Sequence, residues 1–422
     1  MKIAAIIIFI LTYVLLLSLP RHRAKIALAS ATLFVILGIM PMENVLSTID
    51  WNVIFMIAGT MGLVSLFIDS KMPALLADMI ISKTPNVMWA IISLSLFAGI
   101  ISAFVDNVAT VLMVAPVALT ICKKLKISPV SSIVAISVAS NLQGAATLVG
   151  DTTSILLAGH LDMNFFDFFI YNGKIGLFFI VQIGSIMATL ILFVIFRKEK
   201  QPVAALDKTI VEDYFPSFLL IFMVVLLIGA SFIPNTPKTI NGIICMALFL
   251  VGLFKAYFIN KDMKLVKNAI QEIDEVTLTL LAGLFVVVGG LTSVGVIEDI
   301  AALFLRISGD NLFLVYTLIV WFSVFISAFI DNIIYTATML PVIGGLASLL
   351  GGDPTLLYFG LIIGATLGGN LTPIGASANI AGIGILTKQG YTVKTSDFTK
   401  IGIPFTLTAV ITGYILTWVI FS

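Results

Sequence analysis

The sequence ISAFVDNVATVLMVAPV at residues 101–117 returns in similar form as ISAFIDNIIYTATMLPV at residues 326–342. The two stretches are identical at eight of 17 positions, among them Asp106 with Asp331 and Asn107 with Asn332. An acidic residue followed by Asn in the middle of an apolar run is unusual, and its recurrence indicates an internal duplication. The fold is therefore expected to have two related halves, each with one polar centre.

The offset that relates residue 101 to residue 326 continues beyond these two stretches. The segment GAATLVGDTTS at 144–154 aligns at the same offset with GNLTPIGASAN at 369–379. Its identical pairs are Gly144 with Gly369, Thr147 with Thr372 and Gly150 with Gly375. Chance identity is common in apolar sequence, but one offset shared by two separate motifs favours a duplicated region. This shared offset is called the repeat offset below.

Only 11% of the 422 residues are charged, whereas 60% are hydrophobic and the formal net charge is +1. A soluble domain has roughly 25% charged residues, so this chain lacks the polar surface that water would require. The balanced charge argues against a nucleic-acid binder, and the apolar excess excludes a disordered chain. The two cysteines form neither a disulfide framework nor a metal-ligand pattern. The composition predicts a polytopic membrane protein in contact with the lipid bilayer.

A bilayer core of roughly 30 Å needs about 20 apolar residues of helix. Segments of this kind predict ten full spans, at 3–19, 26–40, 52–68, 129–157, 174–196, 215–233, 239–259, 276–296, 355–386 and 401–421. The apolar stretches 87–122 and 311–350 each predict a helical hairpin, either re-entrant or fully crossing. The Phe-rich run 165–169 predicts an interfacial aromatic belt, and the charged run 260–275 predicts a cytoplasmic loop with an interfacial helix.

The Lys and Arg residues set the predicted orientation. With the basic turn at 21–25 in the cytoplasm, all but four of the 23 Lys and Arg residues fall on the cytoplasmic side. The four external ones are Lys2, Lys174, Lys238 and Arg306. Both termini are then external, and the expected location is the inner or plasma membrane. The first hairpin is flanked by Lys83 and by basic residues at 123–126, so it opens to the cytoplasm, whereas Asp310 and Asp353 flank the second, which opens outward.

Five full spans separate equivalent points of the two halves, and because five is odd the second half is expected to be inverted. The predicted organisation is a first repeat at 1–197 (hairpin 87–122, broken span 129–157), a cytoplasmic linker at 198–213 and a second repeat at 214–422 (hairpin 311–350, broken span 355–386). Inverted repeats with broken helices are typical of secondary transporters that bind substrate near the midplane. The expected fold class is an all-α polytopic membrane protein.

Asp106 and Asp331 are expected at membrane depth, where a carboxylate costs about 2.5–3.5 kcal/mol even on the lenient insertion scale. Each must face a cavity, form an ion pair or take up a proton, and neither has a Lys or Arg within one helical turn. In the structural alternative, each Asp only caps the helix that begins at its hairpin tip. In the functional interpretation, both are coupling carboxylates that alternate between an empty state and one loaded with H⁺ or Na⁺.

Gly, Ser, Thr and Asn crowd the segments 140–154 and 366–379, and Pro373 interrupts the second. These residues disfavour a helix interior, and unpaired backbone is tolerated at membrane depth only beside a cavity. Each span is therefore predicted to be two half-helices joined by an unwound stretch that suits Na⁺ or a polar ligand. Close helix packing is the alternative explanation for the glycines.

These patterns define two sets of candidate residues. The predicted substrate-binding residues are Asn107, Asn332, Thr147, Thr372, Asn379 and Ser154. The predicted ion-coupling residues are Asp106, Asp331, Asp151, Asn370, Gly150 and Gly375. Na⁺ itself is expected at the two Asp-Asn tips, with Asp106 and Asn107 on one side and Asp331 and Asn332 on the other.

At these motifs the sequence resembles the ion transporter superfamily, over about 25–421. That superfamily includes arsenite-efflux permeases, D-type bacterial Na⁺/H⁺ antiporters, the melanosomal P protein and divalent anion:sodium symporters. Where the symporters have Ser-Asn-Thr at each tip, this chain has Asp-Asn-Val at 106–108 and Asp-Asn-Ile at 331–333. The Asp-Asn tips look more like the arsenite permease, antiporter and P-protein branch, although Asp-Thr-Thr-Ser at 151–154 replaces its usual Asp-Pro-Pro-Asn.

The resemblance implies a scaffold of spans 1–3 and 6–8 and a mobile unit with both hairpins and spans 4, 5, 9 and 10. It implies an elevator movement, a homodimer joined through the scaffold, and coupling to Na⁺ or H⁺ with no other cofactor. The chain has no P-loop of its own, but some arsenite permeases use a separate ATPase, so such a partner stays open.

The sequence thus predicts an ion-coupled secondary active transporter of a small inorganic solute, and not an enzyme. Arsenite or a related metalloid hydroxide and Na⁺/H⁺ antiport are the first candidates, because two added carboxylates would repel a dicarboxylate. The alternative is a sodium-coupled symporter of a small carboxylate such as citrate. A passive channel and an intramembrane aspartyl hydrolase built on Asp106 and Asp331 are further alternatives.

Overall fold

The computed structural model describes residues 1–203, 209–211, 213–309, 311–351 and 353–422. Parts of the predicted linker at 198–213, including Lys208, lie outside the described residues. The same holds for Asp310, which was expected to flank the second hairpin.

The first half of the chain consists of short and long helices with one small β-hairpin. The α-helices are α1 (Lys2–Ser18), α2 (Arg23–Ile36), α3 (Val45–Thr48), α4 (Trp51–Asp69), α5 (Met72–Ile81), α6 (Val87–Ser102), α7 (Asn107–Leu125), α8 (Val130–Gly144), α9 (Thr152–His160) and α10 (Leu177–Phe196). Short 3₁₀ turns cover Pro20–His22, Met42–Asn44 and Phe166–Phe168. The strands are β1 (Ile170–Tyr171) and β2 (Lys174–Ile175).

The second half is helical throughout its described part. Its α-helices are α11 (Phe215–Ser231), α12 (Ile240–Phe254), α13 (Met263–Gln271), α14 (Glu275–Ser293), α15 (Val296–Ser308), α16 (Leu312–Ser327), α17 (Asn332–Leu350), α18 (Thr355–Gly368), α19 (Ser377–Lys388) and α20 (Thr395–Phe421). A π-helical turn, Lys255–Ile259, follows α12, and a 3₁₀ turn, Gly369–Leu371, follows α18. Helix α13 lies within the charged run 260–275, for which an interfacial helix is predicted.

Seven helical segments of the described chain are long and apolar enough to cross a membrane, and eight if the bent pair α15–α16 counts as one. The protein is therefore a multi-pass membrane protein. Fewer helices than the ten predicted spans are long enough to cross a membrane. One reason is that the predicted spans 129–157 and 355–386 are each divided into two shorter helices. Helices α1 and α11, with 17 residues each, also stay below the roughly 20 residues of a full crossing.

The segment between α9 and α10 contains details that the sequence does not predict. Phe165 and Phe168, two residues of the predicted aromatic belt, are fully buried within the protein. The secondary structure of the described chain is helical apart from β1 and β2, which pair antiparallel with Tyr171 opposite Lys174. Asn172 and Gly173 between them both have positive φ, which is the Asn-Gly turn that favours a tight β-hairpin.

Helix starts recur at the repeat offset found in the sequence. Helices α6, α7, α8 and α9 begin at positions equivalent to the starts of α16, α17, α18 and α19, respectively. The residue types at these starts explain the recurrence. Asn86 caps α6 by accepting from Trp89 N at 3.1 Å, and Asn311 caps α16 by accepting from Leu314 N at 3.1 Å. The prolines that precede α8 and α18, Pro129 and Pro354, are related by the same offset.

The helices form an outer and an inner group. In the outer group, α4 of the first half packs along α12 of the second half, and α14 of the second half packs along α2 of the first. Helices of both halves therefore alternate in this group. In the inner group, α6 packs on α8, α16 packs on α18, and α10 and α20 cover them. All residues at 132–158 and 355–370 are buried, which makes the two broken spans the centre of the molecule.

Candidate functional site

The two hairpin tips are held by the same capping contact. Asp106 Oδ1 accepts hydrogen bonds from Val108 N at 3.0 Å and Ala109 N at 3.1 Å, and therefore caps α7. Asp331 Oδ1 accepts from Ile333 N at 3.0 Å and caps α17. Each Asp therefore caps the helix at its tip, and the contact leaves the second carboxylate oxygen of each for another partner.

The unwound stretch of each broken span docks on the hairpin tip of its own half. The Thr147 hydroxyl donates to the Ala103 carbonyl, and the Thr372 hydroxyl donates to the Ala328 carbonyl. A Cβ atom at Gly150 would lie 2.8 Å from Ser102 O, and one at Gly375 would lie 2.8 Å from Ser327 O. These residues, which the sequence predicts as ligands, therefore attach the unwound stretches to the hairpin tips. The threonine hydroxyls bond to the tips, and the glycines allow the two backbones to lie close together.

A polar network connects the first hairpin tip to the crossing of the two broken spans. Asn107 Nδ2 donates to Asn141 Oδ1 at 2.9 Å. Asn141 Nδ2 in turn donates to Thr366 O at 2.8 Å and to Asn370 Oδ1 at 3.2 Å. Asn141 and Thr366 are related by the repeat offset, so equivalent positions of the two halves meet here.

The network continues from the crossing to the second hairpin tip. The hydroxyls of Thr366 and Thr153 lie 2.8 Å apart, and Thr153 Oγ1 donates to Asp151 Oδ2 at 3.1 Å. Asn332 Nδ2 donates to the same Asp151 oxygen at 3.2 Å, while Asp151 Oδ1 caps α9 through Thr152 N at 2.7 Å. Asn107 and Asn332 are thus joined through one continuous set of buried residues, in which Thr366 takes part with both its carbonyl and its hydroxyl.

The two tips and the first broken span line one cavity of about 210 Å³, which is called the main cavity below because both tips line it. Its inner wall includes Asp106, Asn107, Asp151 and Asn332. Its outer wall includes Glu272, Asp274 and Thr277, of which Glu272 and Asp274 are exposed. Four lining residues are acidic, and no Lys, Arg or His lines the cavity within the described chain. Such a cavity favours a cation or a neutral polar solute over a free anion.

The remaining candidates lie away from this cavity. Asn370 donates to Val138 O at 3.0 Å, Ser154 donates to Gly144 O at 3.2 Å, and Asn379 donates to Gly369 O at 3.2 Å. All three are fully buried and stabilise the two unwound stretches. Among the side-chain polar atoms of these three residues, only Asn379 Oδ1 lacks a hydrogen-bond partner within the described chain.

Asp331 also lies outside the main cavity, in contrast to its equivalent Asp106. It lines a second cavity of about 220 Å³, and its Oδ2 atom lies 2.7 Å from Arg23 Nη1. The sequence indicates no ion-pair partner within a helical turn, and the partner found is 308 residues away. The predicted Na⁺ ligand pair Asp331 and Asn332 is therefore divided between two cavities.

Sequence reasoning missed Asn141, Thr366, Thr153 and Arg23 as members of the site. The repeat offset was a usable signal for two of them, because Asn141 and Thr366 occupy equivalent positions in the two polar segments. No local signal connects Arg23 to Asp331, since the basic turn at 21–25 also fits an ordinary cytoplasmic loop.

The family model described as "Citrate transporter" (CitMHS) matches residues 13–363. A Mycobacterium tuberculosis protein described as an uncharacterized transporter is 31% identical over 431 residues, which cover 99% of this chain and 98% of that protein. The human P protein is 25% identical over 496 residues, which cover 95% of this chain and 58% of the P protein.

Two solved transporter structures share the fold. The YdaH transporter of Alcanivorax borkumensis has a TM-score of 0.60 at 14% identity, covering 89% of this chain and 87% of that chain. MtrF of Neisseria gonorrhoeae, described within a class of antimetabolite efflux pumps, has a TM-score of 0.56 at 15% identity, covering 87% of this chain and 80% of its own. These identities support the fold alone.

The family and these relatives are transporters and not enzymes, so the aspartyl hydrolase alternative is wrong. The resemblance to the ion transporter superfamily is confirmed. The chain belongs to the citrate transporter family (CitMHS) of the ion transporter superfamily.

Proposed function

We propose that this protein is an ion-coupled secondary active transporter whose substrate and coupling cation bind in the cavity lined by Asp106, Asn107, Asp151 and Asn332. The observation that carries the proposal is the acidic lining without a basic residue in the described chain. The substrate class is a small inorganic solute, either a metalloid hydroxide such as arsenite or Na⁺ exchanged for H⁺.

The polar groups of the cavity have separate roles in this proposal. Asp106 and Asp151 carry the negative charge that a proton or Na⁺ neutralises, because a carboxylate in an apolar surrounding needs a partner. Asn107 and Asn332 each use their amide nitrogen on the network, which leaves their carbonyl oxygens for a solute or a cation. A volume of about 210 Å³ leaves room for a small solute and several waters.

The elevator movement is proposed from the packing of the helices. Helices α1, α2, α4, α11, α12 and α14 correspond to the predicted scaffold, and α6–α10 with α16–α20 correspond to the mobile unit. Inversion of the second half is supported by the recurring helix starts and by the arrangement of the Lys and Arg residues along the chain. The ion pairs Lys2–Asp299 and Lys255–Asp213 each join groups that this topology puts on one side of the membrane.

The cavity is proposed to open to the cytoplasm. Its exposed wall, Glu272 and Asp274, belongs to the charged segment 260–275 that the positive-inside rule puts in the cytoplasm. In the same topology both termini are external and the protein resides in the inner or plasma membrane. The conformation described here would then be the cytoplasm-open state.

A second candidate is a cation-coupled carrier of a small carboxylate such as citrate, which the description of the family favours. The acidic lining sets a condition on this candidate, because a free carboxylate would meet four acids and no base in the described lining. Such a substrate would have to enter together with a cation that neutralises it.

The expected assembly is a homodimer through the scaffold. Exposed apolar residues on its outer helices, such as Ile221, Val225 and Leu250, need lipid or a second copy to cover them. A separate ATPase partner is tested by adding ATP and the candidate ATPase to the flux assay. The mass of the detergent-purified protein distinguishes a dimer from a monomer.

Gradient-driven flux in proteoliposomes tests the proposed function. Arsenite, Na⁺ and citrate, the last with and without a divalent cation, are offered under imposed Na⁺ or pH gradients. Asp106→Asn and Asp151→Asn are expected to lose coupling, whereas Asp397→Asn, an acidic residue outside the cavity, should behave as wild type. Unchanged coupling in both cavity variants would contradict the proposal, and flux without counter-ion movement would favour a channel.

A further inference from the structure

The two hairpin tips are alike in sequence but differ in their surroundings. Asp106 lines the acidic main cavity, and its Oδ2 atom has no hydrogen-bond or ion-pair partner within the described chain. Asp331 lines the second cavity with Arg23 and Tyr13, and its Oδ2 atom accepts a hydrogen bond from Arg23 Nη1 at 2.7 Å. The duplication thus supplies two equivalent carboxylates, of which only one is paired.

The ion pair between Arg23 and Asp331 is mostly shielded from water. The Asp331 side chain is 7% exposed and that of Arg23 is 26% exposed, so the pair is largely removed from water. Both oxygens of Asp331 are in use, because Oδ1 caps α17 while Oδ2 is held by the guanidinium. A charge-assisted hydrogen bond in such surroundings is stronger than a neutral one, and loss of either partner leaves a buried charge.

The helix that precedes Arg23 also contacts the second hairpin. Arg23 is the first residue of α2, directly after the turn from α1. On α1, the Tyr13 hydroxyl donates to Ile334 O at 3.1 Å and also bonds with the Thr338 hydroxyl, both on α17. The side chains of Tyr13 and Arg23 therefore connect the pair α1–α2 to the second hairpin, Tyr13 at α17 and Arg23 at the tip.

We infer that Arg23 is a tethered counter-ion that takes the place of a coupling cation at Asp331 in the cytoplasm-open state. The inference rests on the proposed function, since it assumes that the tips bind cations during transport. The guanidinium occupies the oxygen that Na⁺ would need, and its positive charge repels a second cation. In this state a cation can bind only at Asp106 and Asp151. A cation that binds Asp331 in another state is released when Arg23 pairs with Asp331 again.

Counting bound cations tests the inference. The probe is radioactive Na⁺ at pH 8, measured by equilibrium dialysis on the full-length protein in detergent. Arg23→Gln is expected to bind one Na⁺ per chain more than wild type, because Asp331 is then free. Arg23→Lys keeps the charge and should bind the wild-type number. Arg21→Gln removes a neighbouring exposed charge from the same turn and serves as the matched control.

A double variant keeps the inference falsifiable if Arg23→Gln alone does not fold. Arg23→Gln with Asp331→Asn removes both charges, and it should bind the same number of Na⁺ ions as wild type. An unchanged number in folded Arg23→Gln, or a lower number in the double variant, would overturn the inference. Failure of the proposed function appears separately, as absent gradient-driven flux in the wild-type protein.

Discussion

The predicted site residues differ in whether they face the main cavity or pack at the hairpin tips. Thr147, Thr372, Gly150 and Gly375 belong to the sequence motifs expected to bind substrate or ions. In the structure they hold the hairpin tips against the unwound stretches. The motif spacing is thus explained by packing at these positions, while Asp106, Asn107, Asp151 and Asn332 face the cavity.

Substitution of the glycines at the tips should be costly. A Cβ at Gly150 would lie 2.6 Å from Gly144 O, and one at Gly375 would lie 2.5 Å from Gly369 O, so backbone must move. We expect Gly150→Ala or Gly375→Ala to lower thermal stability in detergent by about 1–3 kcal/mol or more and to abolish flux. Gly384→Ala, in α19 with open space around it, is the control and should be neutral or slightly stabilising.

The buried Asn141 side chain should matter as much as the cavity residues. Asn141→Ala removes an acceptor from Asn107 and a donor from Thr366 O, both buried. Leaving such groups unsatisfied costs about 1–3 kcal/mol, so the melting temperature and the flux should both fall. Asn44→Ala, at an exposed position, is the control. Wild-type stability in Asn141→Ala would mean that the network contributes little.

At the scale of elements, the sequence predicts much of the inner group of helices. The repeat locates both hairpins, and the polar segments locate both breaks, because caps, prolines and glycines are local signals. It misses α5 and α15, which are short helices between a span and a hairpin. It also misses the crossing of α8 and α18, because contacts between distant elements leave no local pattern.

Helix α7 offers a way to separate capping from transport. Asn caps a helix about as well as Asp, whereas Ala loses roughly 0.5–2 kcal/mol. Asp106→Asn should therefore keep the thermal stability and lose ion coupling, while Asp106→Ala should lose both. Parallel melting curves and flux assays decide between the roles. Normal coupling in a stable Asp106→Asn variant would leave capping as the only role.

The start of α11 is fastened by an ion pair that should depend on pH. Burial raises the pKa of Asp213, but hydrogen bonds from Lys255 and from Phe215 N outweigh it and leave the pKa lowered. A carboxyl group whose pKa is lowered in the folded protein stabilises the fold at pH values above the ordinary Asp pKa of about 3.9. This stabilisation is lost as the pH falls below that value and through the lowered pKa. The difference in melting temperature between wild type and Asp213→Asn should thus shrink between pH 6 and pH 3. A constant difference would contradict the pairing.

At the scale of the whole molecule, composition and hydropathy suffice to predict a multi-pass membrane protein, and the repeat with its broken helices is needed to predict a transporter. The number of spans is harder, because the broken helices are too short to cross alone and the hairpin helices α7 and α17 are long enough to do so. The division into scaffold and mobile unit depends on contacts such as α4 with α12, which join residues about 190 positions apart.

The proposed orientation can be tested with single cysteines. Cys122 and Cys245 are both buried, so the chain is nearly free of reactive background. Thr277→Cys, in the wall of the main cavity, should react with an impermeant maleimide only from the cytoplasmic side. Ser47→Cys lines a separate cavity near Lys238 and should react only from outside. Labelling of both from one side would contradict the topology.

The acidic residues at the rim and at the centre of the main cavity should also affect the rate at which a cation enters. Charges of one sign along a narrow entrance raise the encounter rate of oppositely charged solutes by about 10–10³-fold. The Debye length is only about 8 Å at physiological salt, so under the proposed function Glu272 and Asp274 would attract a cation only over the last steps of its approach. Entry from this side should accordingly slow as ionic strength rises, even where the equilibrium occupancy of the inner carboxylates stays the same.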